Sequence, residues 1–423
     1  VTTTLPVDAS TRRDADGGAL RLALFTETYP PQLNGVSRTL ERLVRAVRAR
    51  GGDVRVYTTT DPGVATVERD VWRRPSIPFW AYPELRLSAP IAGRVIGDVR
   101  AFGPTLIHAA TPFGMGLTGR AAARTLGIPF VTSYHTSFSD YARFYRLGAL
   151  SRIGWSYLRW FHNSGRRTYV PTHAIADELA EYGFERLAVW GRGIEAHRFN
   201  PGWRSAEVRR RLGVDDRAIL VSYVGRLAIE KGLDVALAAM HRLADQAPER
   251  ASRGEPRLVF ALAGDGPYAA YCRANAPEGT QFTGRIEGEA LSAFYASSDL
   301  FIFPSTTDTF GNVLLEAMAS GVPIIAADVG PTRELLAGGG GILIPPGDPA
   351  ALTAAITTLA ADPARRRALG AAGVASTAGA SWDDIFDALL ADYARVIAGA
   401  AAATSDRSGA GVTGITTRPT RGA

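Results

Sequence analysis

Apolar positions along the chain fall into short runs bounded by Gly, Pro or Asp, and these alternate with stretches where they recur every three or four residues. The runs predict strands over Arg21–Glu27, Asp53–Thr59, Thr105–Ala110, Phe130–His135 and Thr168–Thr172 in the first half. In the second half they predict Ile219–Gly225, Leu258–Gly264, Gln281–Gly284, Leu300–Pro304, Ile324–Ala327 and Gly341–Ile344. Helical periodicity fills the gaps, notably at Ser37–Arg50, Gly116–Leu126, Gly232–Arg242 and Val313–Ala319. Alternating β and α elements imply an α/β chain with parallel sheets covered on both faces, here two doubly wound, Rossmann-like domains. A Pro-Gly break and a charged stretch at Phe199–Val214 mark the boundary. The expected organisation is a disordered leader at 1–19, a first domain at 20–200, a linker at 201–216 and a second domain at 217–380. Ser381–Val396 reads as an amphipathic helix begun by a Ser cap, so residues 381–400 should pack back toward the first domain. Residues 401–423 carry almost no large apolar side chains and are expected to be disordered. Two such sheets leave a cleft between their carboxyl edges, where ligands bind in this kind of fold.

Composition narrows the class. The chain is 46% hydrophobic and 21% charged, and it has no run of 18 apolar residues, so no bilayer-spanning helix is expected. The first twenty residues lack the apolar core of a secretory signal. Cys272 is the only cysteine, which excludes a disulfide framework and a Cys-based metal site and makes the cytoplasm the default location. Charge is uneven. Residues 1–200 hold 26 arginines against 17 acidic residues, a net of +9, while the remainder is −3. That asymmetry points to an anionic surface or ligand facing the first half, with an arginine-rich composition as the plainer alternative. The single lysine, Lys231, stands among 46 arginines.

Four segments carry the candidate chemistry. In residues 303–330 (FPSTTDTFGNVLLEAMASGVPIIAADVG) a strand is expected to end at Ser305, and a loop carries Asp308. Phe310, Gly311 and Asn312 then open a helix holding Val313 and Glu316. The helix mouth suits a phosphate, and a carboxylate in its second turn can accept both hydroxyls of a ribose. A helix-start acid and a solvated helix residue are common anywhere, but Leu314, Leu315, Ala317 and Met318 leave Glu316 in an otherwise apolar helix. In Gly225–Gly232 (GRLAIEKG) Arg226 and Lys231 are spaced to reach one diphosphate, a fork and a point charge; two surface cations are the alternative. No G-x-G-x-x-G follows the first strand, which counts against a dinucleotide site; instead Gly35, beside Asn34, precedes a helix. His135 ends an apolar strand, Gly264 opens a Gly-Asp-Gly-Pro turn after another, and Arg285 and Ile286 follow a fourth.

Over residues 20–400 these motifs, in this order, resemble glycosyltransferase family 4. The resemblance rests on Asp308-x7-Glu316, on the run Ala317–Ile324 after it, and on the G-R-x-x-x-x-K-G segment. It implies a GT-B fold and retaining transfer of a hexose from a nucleotide-diphosphate sugar to a lipid-linked or glycan acceptor. By resemblance, Arg226, Lys231 and Gly35 face the donor phosphates, and Glu316 takes the ribose. Asp308 and His135 meet the sugar, while Gly264, Arg285, Ile286 and the Phe310–Val313 segment line the donor site. Asp308 departs from the family's usual Glu, which puts the fit of the donor sugar in question. The segments YHTSF and VWGRGIEAHRFNP are similar to bacterial glycolipid α-mannosyltransferases and plant-type sulfoquinovosyltransferases. GDP-mannose is therefore the expected donor, with UDP-sugars as the alternative. No metal or other cofactor is implied, because cations take that part. Beyond transferases, a sugar-nucleotide epimerase or a non-catalytic nucleotide-sugar-binding protein would use the same diphosphate contacts. No nucleic-acid partner is expected. An anionic membrane surface is the expected docking partner of the first domain, through Arg38, Arg42, Arg45, Arg48 and the Arg- and Trp-rich Tyr145–Arg167, which would place the protein on the inner face of the plasma membrane. A solvated basic face with its aromatics in the core is the alternative.

Overall fold

The computed structural model describes residues 3–4, 19–32, 34–62, 64, 67–79, 82–90, 93–135 and 151–409. Its strands in chain order are β1 (Thr3–Thr4), β2 (Arg21–Phe25), β3 (Asp53–Thr59), β4 (Val67–Glu68), β5 (Val71–Arg74), β6 (Ile77–Phe79), β7 (Tyr82–Leu87), β8 (Leu106–Ala109) and β9 (Phe130–Ser133). They continue with β10 (Thr168–Val170), β11 (Leu187–Val189), β12 (Ile219–Val224), β13 (Leu258–Ala263), β14 (Gln281–Gly284), β15 (Leu300–Phe303), β16 (Ile324–Ala327) and β17 (Gly341–Ile344). Among the described residues the first eleven, without β6 and β7, make a sheet ordered β1-β11-β10-β9-β8-β2-β3-β5-β4, and the last six make one ordered β14-β13-β12-β15-β16-β17. Every predicted strand is present, but most end a residue or two early. Gly264 has φ +145°, Pro304 has no N–H to give a ladder, and Thr172 instead caps the helix His173–Glu181 by accepting from Ile175 N at 3.2 Å.

The doubly wound parallel sheets are present as expected, with small antiparallel additions: β4 runs antiparallel to β5, and β6 and β7 form a separate antiparallel pair. β4, β5 and β6, like three-residue β11, are too short to stand out as apolar runs, and β7 (YPELRL) is too polar. Two expectations are corrected. The last helix spans Trp382–Gly409, so residues 401–409 are helical; alanines at 400–403 favour a helix without any large apolar side chain, and residues 410–423 lie outside the described part. In the leader, Thr3–Thr4 pairs in parallel with β11, and most of the rest lies outside the described residues.

Cα proximity groups the chain into two compact units: Val1–Thr4, Tyr134–Arg159 and Val170–Ile385 in one, and Leu5–Ser133, Trp160–Tyr169 and Phe386–Ala423 in the other. This grouping does not cut at 201–216, because residues just before the linker bond forward: Ile194 N reaches Ala380 O at 2.7 Å. In the first unit the strands bury both faces. Along β12, Leu220 and Val224 join one core cluster while Ile219, Val221 and Tyr223 join the other. Alternation of this kind is what a parallel sheet covered on both sides requires. Its order places β13 and β14 on one side of β12 and the later strands on the other, so the direction of winding reverses between β12 and β15. Ligands bind beyond the carboxyl ends of strands at such a reversal.

In the second unit Ala23, Phe25, Tyr57, Ile107 and Ala109 build a core with the helices Gly93–Phe102 and Gly114–Leu126. The final helix joins this unit through polar bonds. The carboxylate of Asp392, almost fully buried, accepts from Arg167 Nε at 3.1 Å and Tyr169 OH at 2.8 Å, and His108 bonds Tyr393 OH and Ser133 Oγ at 2.7 and 2.8 Å. No helix among the described residues is long and apolar enough to cross a membrane.

Candidate active site

The loops after β12 and β15, together with the helix Asn312–Ala319 that follows the latter, hold most of the predicted residues. Gly225 and Gly264 close the neighbouring strands β12 and β13 so tightly that a Cβ on Gly264 would lie 1.9 Å from Gly225 O. Gly232, at φ +68°, would set a Cβ 2.6 Å from Pro304 O, so this loop is pressed against the end of β15 and requires glycine there. The packing fixes where the two cations stand. Arg226 Nη1 faces Glu230 Oε1 at 3.4 Å, and Tyr223 OH donates to Arg226 O at 3.0 Å. Lys231, at the end of a 3₁₀ turn, donates from Nζ to Asp308 Oδ1 at 2.7 Å. The only lysine of the chain thus meets the acid predicted to touch the sugar, 77 positions on. Asp308 Oδ2 is buried without a hydrogen-bond partner, as is Asn312 Oδ1. A buried acceptor left open is costly, which marks these atoms as places for a ligand's donors.

The helix Asn312–Ala319 begins from Gly311, whose φ of +87° only glycine adopts readily, and no side chain caps it. Its first N–H groups and its dipole therefore present positive potential at the mouth. Glu316 in its second turn accepts from Tyr295 OH at 2.9 Å, which orients the carboxylate and leaves it acceptor capacity. Phe310 and Val313 pack into the core of the same sheet, and Ile286 lies against it after β14. Arg285 turns instead to Glu287, 2.6 Å away and exposed. A cavity of about 520 Å³ opens beside Asp308, lined also by Thr306, Thr307, Gly330, Pro331 and Glu178. That size suits a small ligand.

His135 follows β9, and its Nδ1 takes a hydrogen bond from Arg192 Nη2 at 3.0 Å, while Thr309 Oγ1 donates to its carbonyl at 2.9 Å. Gly35 belongs to the other unit. It opens the helix Gly35–Ala49 at the carboxyl end of β2, where Asn34 caps Ser37 N at 2.9 Å and donates to Thr28 Oγ1 at 2.7 Å. Beside that loop Glu27 is sealed, its carboxylate taking bonds from Thr111 and Met115 N, and burial pushes its pKa up to about 7. Sequence reasoning missed Glu230, Tyr295, Thr309 and Arg192. Glu230 was in plain sight beside Lys231; the others lie 21 to 174 positions from the group they hold.

Comparison with known proteins bears on the same segments. Residues 33–198 match the model of Glycosyltransferase Family 4, and residues 205–375 match that of Glycosyl transferases group 1. A GDP-mannose-dependent alpha-mannosyltransferase of Mycolicibacterium smegmatis is 35% identical over 386 residues, 89% of this chain and 98% of that protein. The chain belongs to glycosyltransferase family 4. It is an enzyme that transfers a sugar from a nucleotide-sugar donor, as these relatives do. A protein of the same name from Corynebacterium glutamicum is 31% identical over 90% of each chain, and a sulfoquinovosyl transferase of Arabidopsis thaliana is 34% identical over 75% of this chain and 61% of its own. Among solved structures, sucrose-phosphate synthase of Thermosynechococcus elongatus superposes with a TM-score of 0.72 at 21% identity, covering 90% of this chain and all of that one. The likeness shows the GT-B fold.

Proposed function

We propose that this family 4 enzyme moves mannose from GDP-mannose, with retention, onto a lipid-linked or glycan acceptor. The observation that carries the donor assignment is that the two bacterial relatives described above, each matching about nine-tenths of the chain, bear the same name, GDP-mannose-dependent alpha-mannosyltransferase. A second reading is a UDP-sugar donor and a glycolipid product, with a glucosyl or sulfoquinovosyl group transferred; the plant relative's name favours the sulfoquinovosyl form. A thermal-shift panel of GDP-, UDP- and ADP-sugars followed by extraction of labelled lipid separates them. GDP-mannose should stabilise most and yield product; stabilisation and product with UDP-sugars alone would overturn the assignment.

Cleaving the anomeric bond builds negative charge on the β-phosphate and positive charge on the ring. Arg226, Lys231 and the mouth of the Asn312–Ala319 helix are the groups to stabilise the leaving diphosphate, each worth roughly 3 kcal/mol of barrier. In this role Lys231 shares its charge between Asp308 and the phosphate, and no metal is needed. Glu316, steadied by Tyr295, takes the ribose, and Asp308 turns its open Oδ2 to a sugar hydroxyl. Gly264, Ile286, Phe310 and Val313 complete the walls of the donor site, and Arg285 joins them on leaving Glu287. No carboxylate is assigned as a nucleophile; the leaving phosphate takes the acceptor's proton on the face it departs from. Asp308→Asn should lower turnover sharply at unchanged nucleoside-diphosphate affinity; unaltered turnover would reduce Asp308 to a structural partner of Lys231.

The membrane part of this reading rests on the helix Ser151–Asn163, where Ile153 is 68% and Trp160 48% exposed, seven positions apart and flanked by exposed Arg152 and Arg159. Such a face suits an anionic inner-leaflet surface. Trp155 is instead stacked on Tyr182 with centroids 4.0 Å apart, so part of the aromatic set serves packing, and residues 145–150 of the predicted patch lie outside the described residues. Flotation with anionic and neutral vesicles tests the reading, and equal binding to both removes its electrostatic basis.

A further inference from the structure

Arg192 lies in the VWGRGIEAHRFNP segment but was assigned no role in the site, yet it is 8% exposed and ends its side chain on His135. It follows β11 by three residues. Its Nη1 donates to the carbonyls of Trp190 and Gly191 at 2.7 and 2.9 Å, which fixes the guanidinium plane, and Nη2 then donates to His135 Nδ1 at 3.0 Å. The rings of Trp190 and Phe310 lie 5.0 and 5.9 Å from its Cζ, closing it in. A guanidinium has donors and no acceptor. The Nδ1 it meets must therefore carry a lone pair, and the imidazole must be neutral with its proton on Nε2. The Trp190 ring, edge-on to the imidazole at 5.5 Å, and the Thr309 bond to the His135 carbonyl hold the rest of that residue.

We infer that Arg192 is a positioning residue for sugar transfer, locking His135 as a neutral Nε2–H donor aimed at the transferred sugar. The inference rests on the proposed contact between His135 and the sugar and adds what sets the ring's state. A ring free to take either tautomer would offer a lone pair where a sugar hydroxyl needs a donor, in some fraction of molecules. Burial also holds Arg192 down to about 9, still fully charged at neutral pH, so the donor does not switch off.

Histidine-selective ¹⁵N labelling and long-range ¹H–¹⁵N spectra test this on the intact protein. Among six histidines, the His135 signal is the one lost in His135→Gln. In the wild type it should show a protonated Nε2 and a bare Nδ1. Arg192→Met should mix the two tautomers and lower kcat roughly 10- to 100-fold, with the KM for the donor sugar changed by less than about threefold. Arg192→Lys, which keeps a charge and one donor, should recover part of both. An Nδ1–H tautomer or an imidazolium in the wild type would overturn the inference, as would wild-type kcat in Arg192→Met. Should Arg192→Met fail to fold, the wild-type spectrum and Arg192→Lys still decide. If His135→Gln keeps full kcat, the sugar contact of His135 fails, and the positioning role falls with it even where the tautomer is as expected.

Discussion

The carboxyl edge of β12 and β15 and the polar core around β8 and β9 use the same kinds of side chain to opposite ends. At the edge, Arg226, Lys231, Asp308 and Glu316 are partly exposed, Lys231 pairs with Asp308 at 2.7 Å, and Asp308 Oδ2 is left without a hydrogen-bond partner. In the core, His108, Tyr169 and Asp392 are sealed and each is bonded: His108 to Ser133 and Tyr393, Asp392 to Arg167 and Tyr169. Polar groups that complete one another specify a structure and are silent towards ligands. In the proposed mechanism, groups paired across an open loop exchange partners when a diphosphate arrives. The two kinds of site are told apart by closure of their hydrogen bonds and not by residue type.

Mutations should separate the two regions. Breaking the core should cost the most stability. Asp392→Ala, by leaving Tyr169 and Arg167 without their acceptor, should destabilise by about 3 kcal/mol, somewhat offset by the partial exposure of Arg167, and barely alter kcat in what remains folded. A urea titration and an assay at low temperature read the two effects, and a large kcat loss with unchanged midpoint would erase the distinction. At the edge the pattern should invert. Arg226→Ala and Lys231→Ala should each slow transfer 100-fold or more, roughly 3 kcal/mol, while the urea midpoint moves little. Near-normal rates in both would move the donor site elsewhere. Tyr295→Phe is the intermediate case. It removes a hydroxyl that serves a carboxylate, and should weaken nucleoside-diphosphate binding by about 2 kcal/mol in a calorimetric titration with little change in fold.

The smallest effect per step is the pH dependence of stability, and it belongs to the core alone. Burial pushes His108 and His162 down to about 3 from 6.5, so below pH 6.5 the unfolded chain takes up protons that the folded one refuses. Their stabilising contribution is complete above 6.5 and is lost as pH falls toward 3. Glu27, raised to about 7, acts the other way: between 4.5 and 7 the folded chain holds the extra proton, so its term weakens the fold as pH rises. Two histidines against one carboxyl leave a net loss of about 1.4 kcal/mol per pH unit on acidification from 6.5 to 4.5. Melting temperatures should fall steadily from pH 6.5 to 4.5, with no fall between 7.5 and 6.5, and a flat profile below 6.5 would mean that these rings are not sealed.

How much of this was legible depends on separation along the chain. Strand and helix positions followed from apolar periodicity, because burial on both faces of a parallel sheet leaves a local pattern. The strand ends did not, since a Gly or Pro terminates pairing only by its place against a neighbour, as Gly264 does against Gly225. Arg226 and Lys231 were readable as a pair because six residues of loop carry both, and Asp308 and Glu316 because one helix start carries both. Resemblance then supplied roles that spacing alone left open.

What the sequence determined by itself is therefore the local vocabulary: which segments are strands, where the loops at their carboxyl ends carry charge, and that a lone lysine stands in one of them. Only the tertiary structure decided the pairings. Lys231 with Asp308, Tyr295 with Glu316, Arg192 with His135 and Arg167 with Asp392 lie 77, 21, 57 and 225 positions apart. A hydrogen bond demands heavy atoms about 3 Å apart in a narrow range of angles, and an extended chain covers that distance in a single residue. Residues this far apart in sequence meet only where sheet order and helix packing return the chain to the same place, and that return is a property of the whole fold.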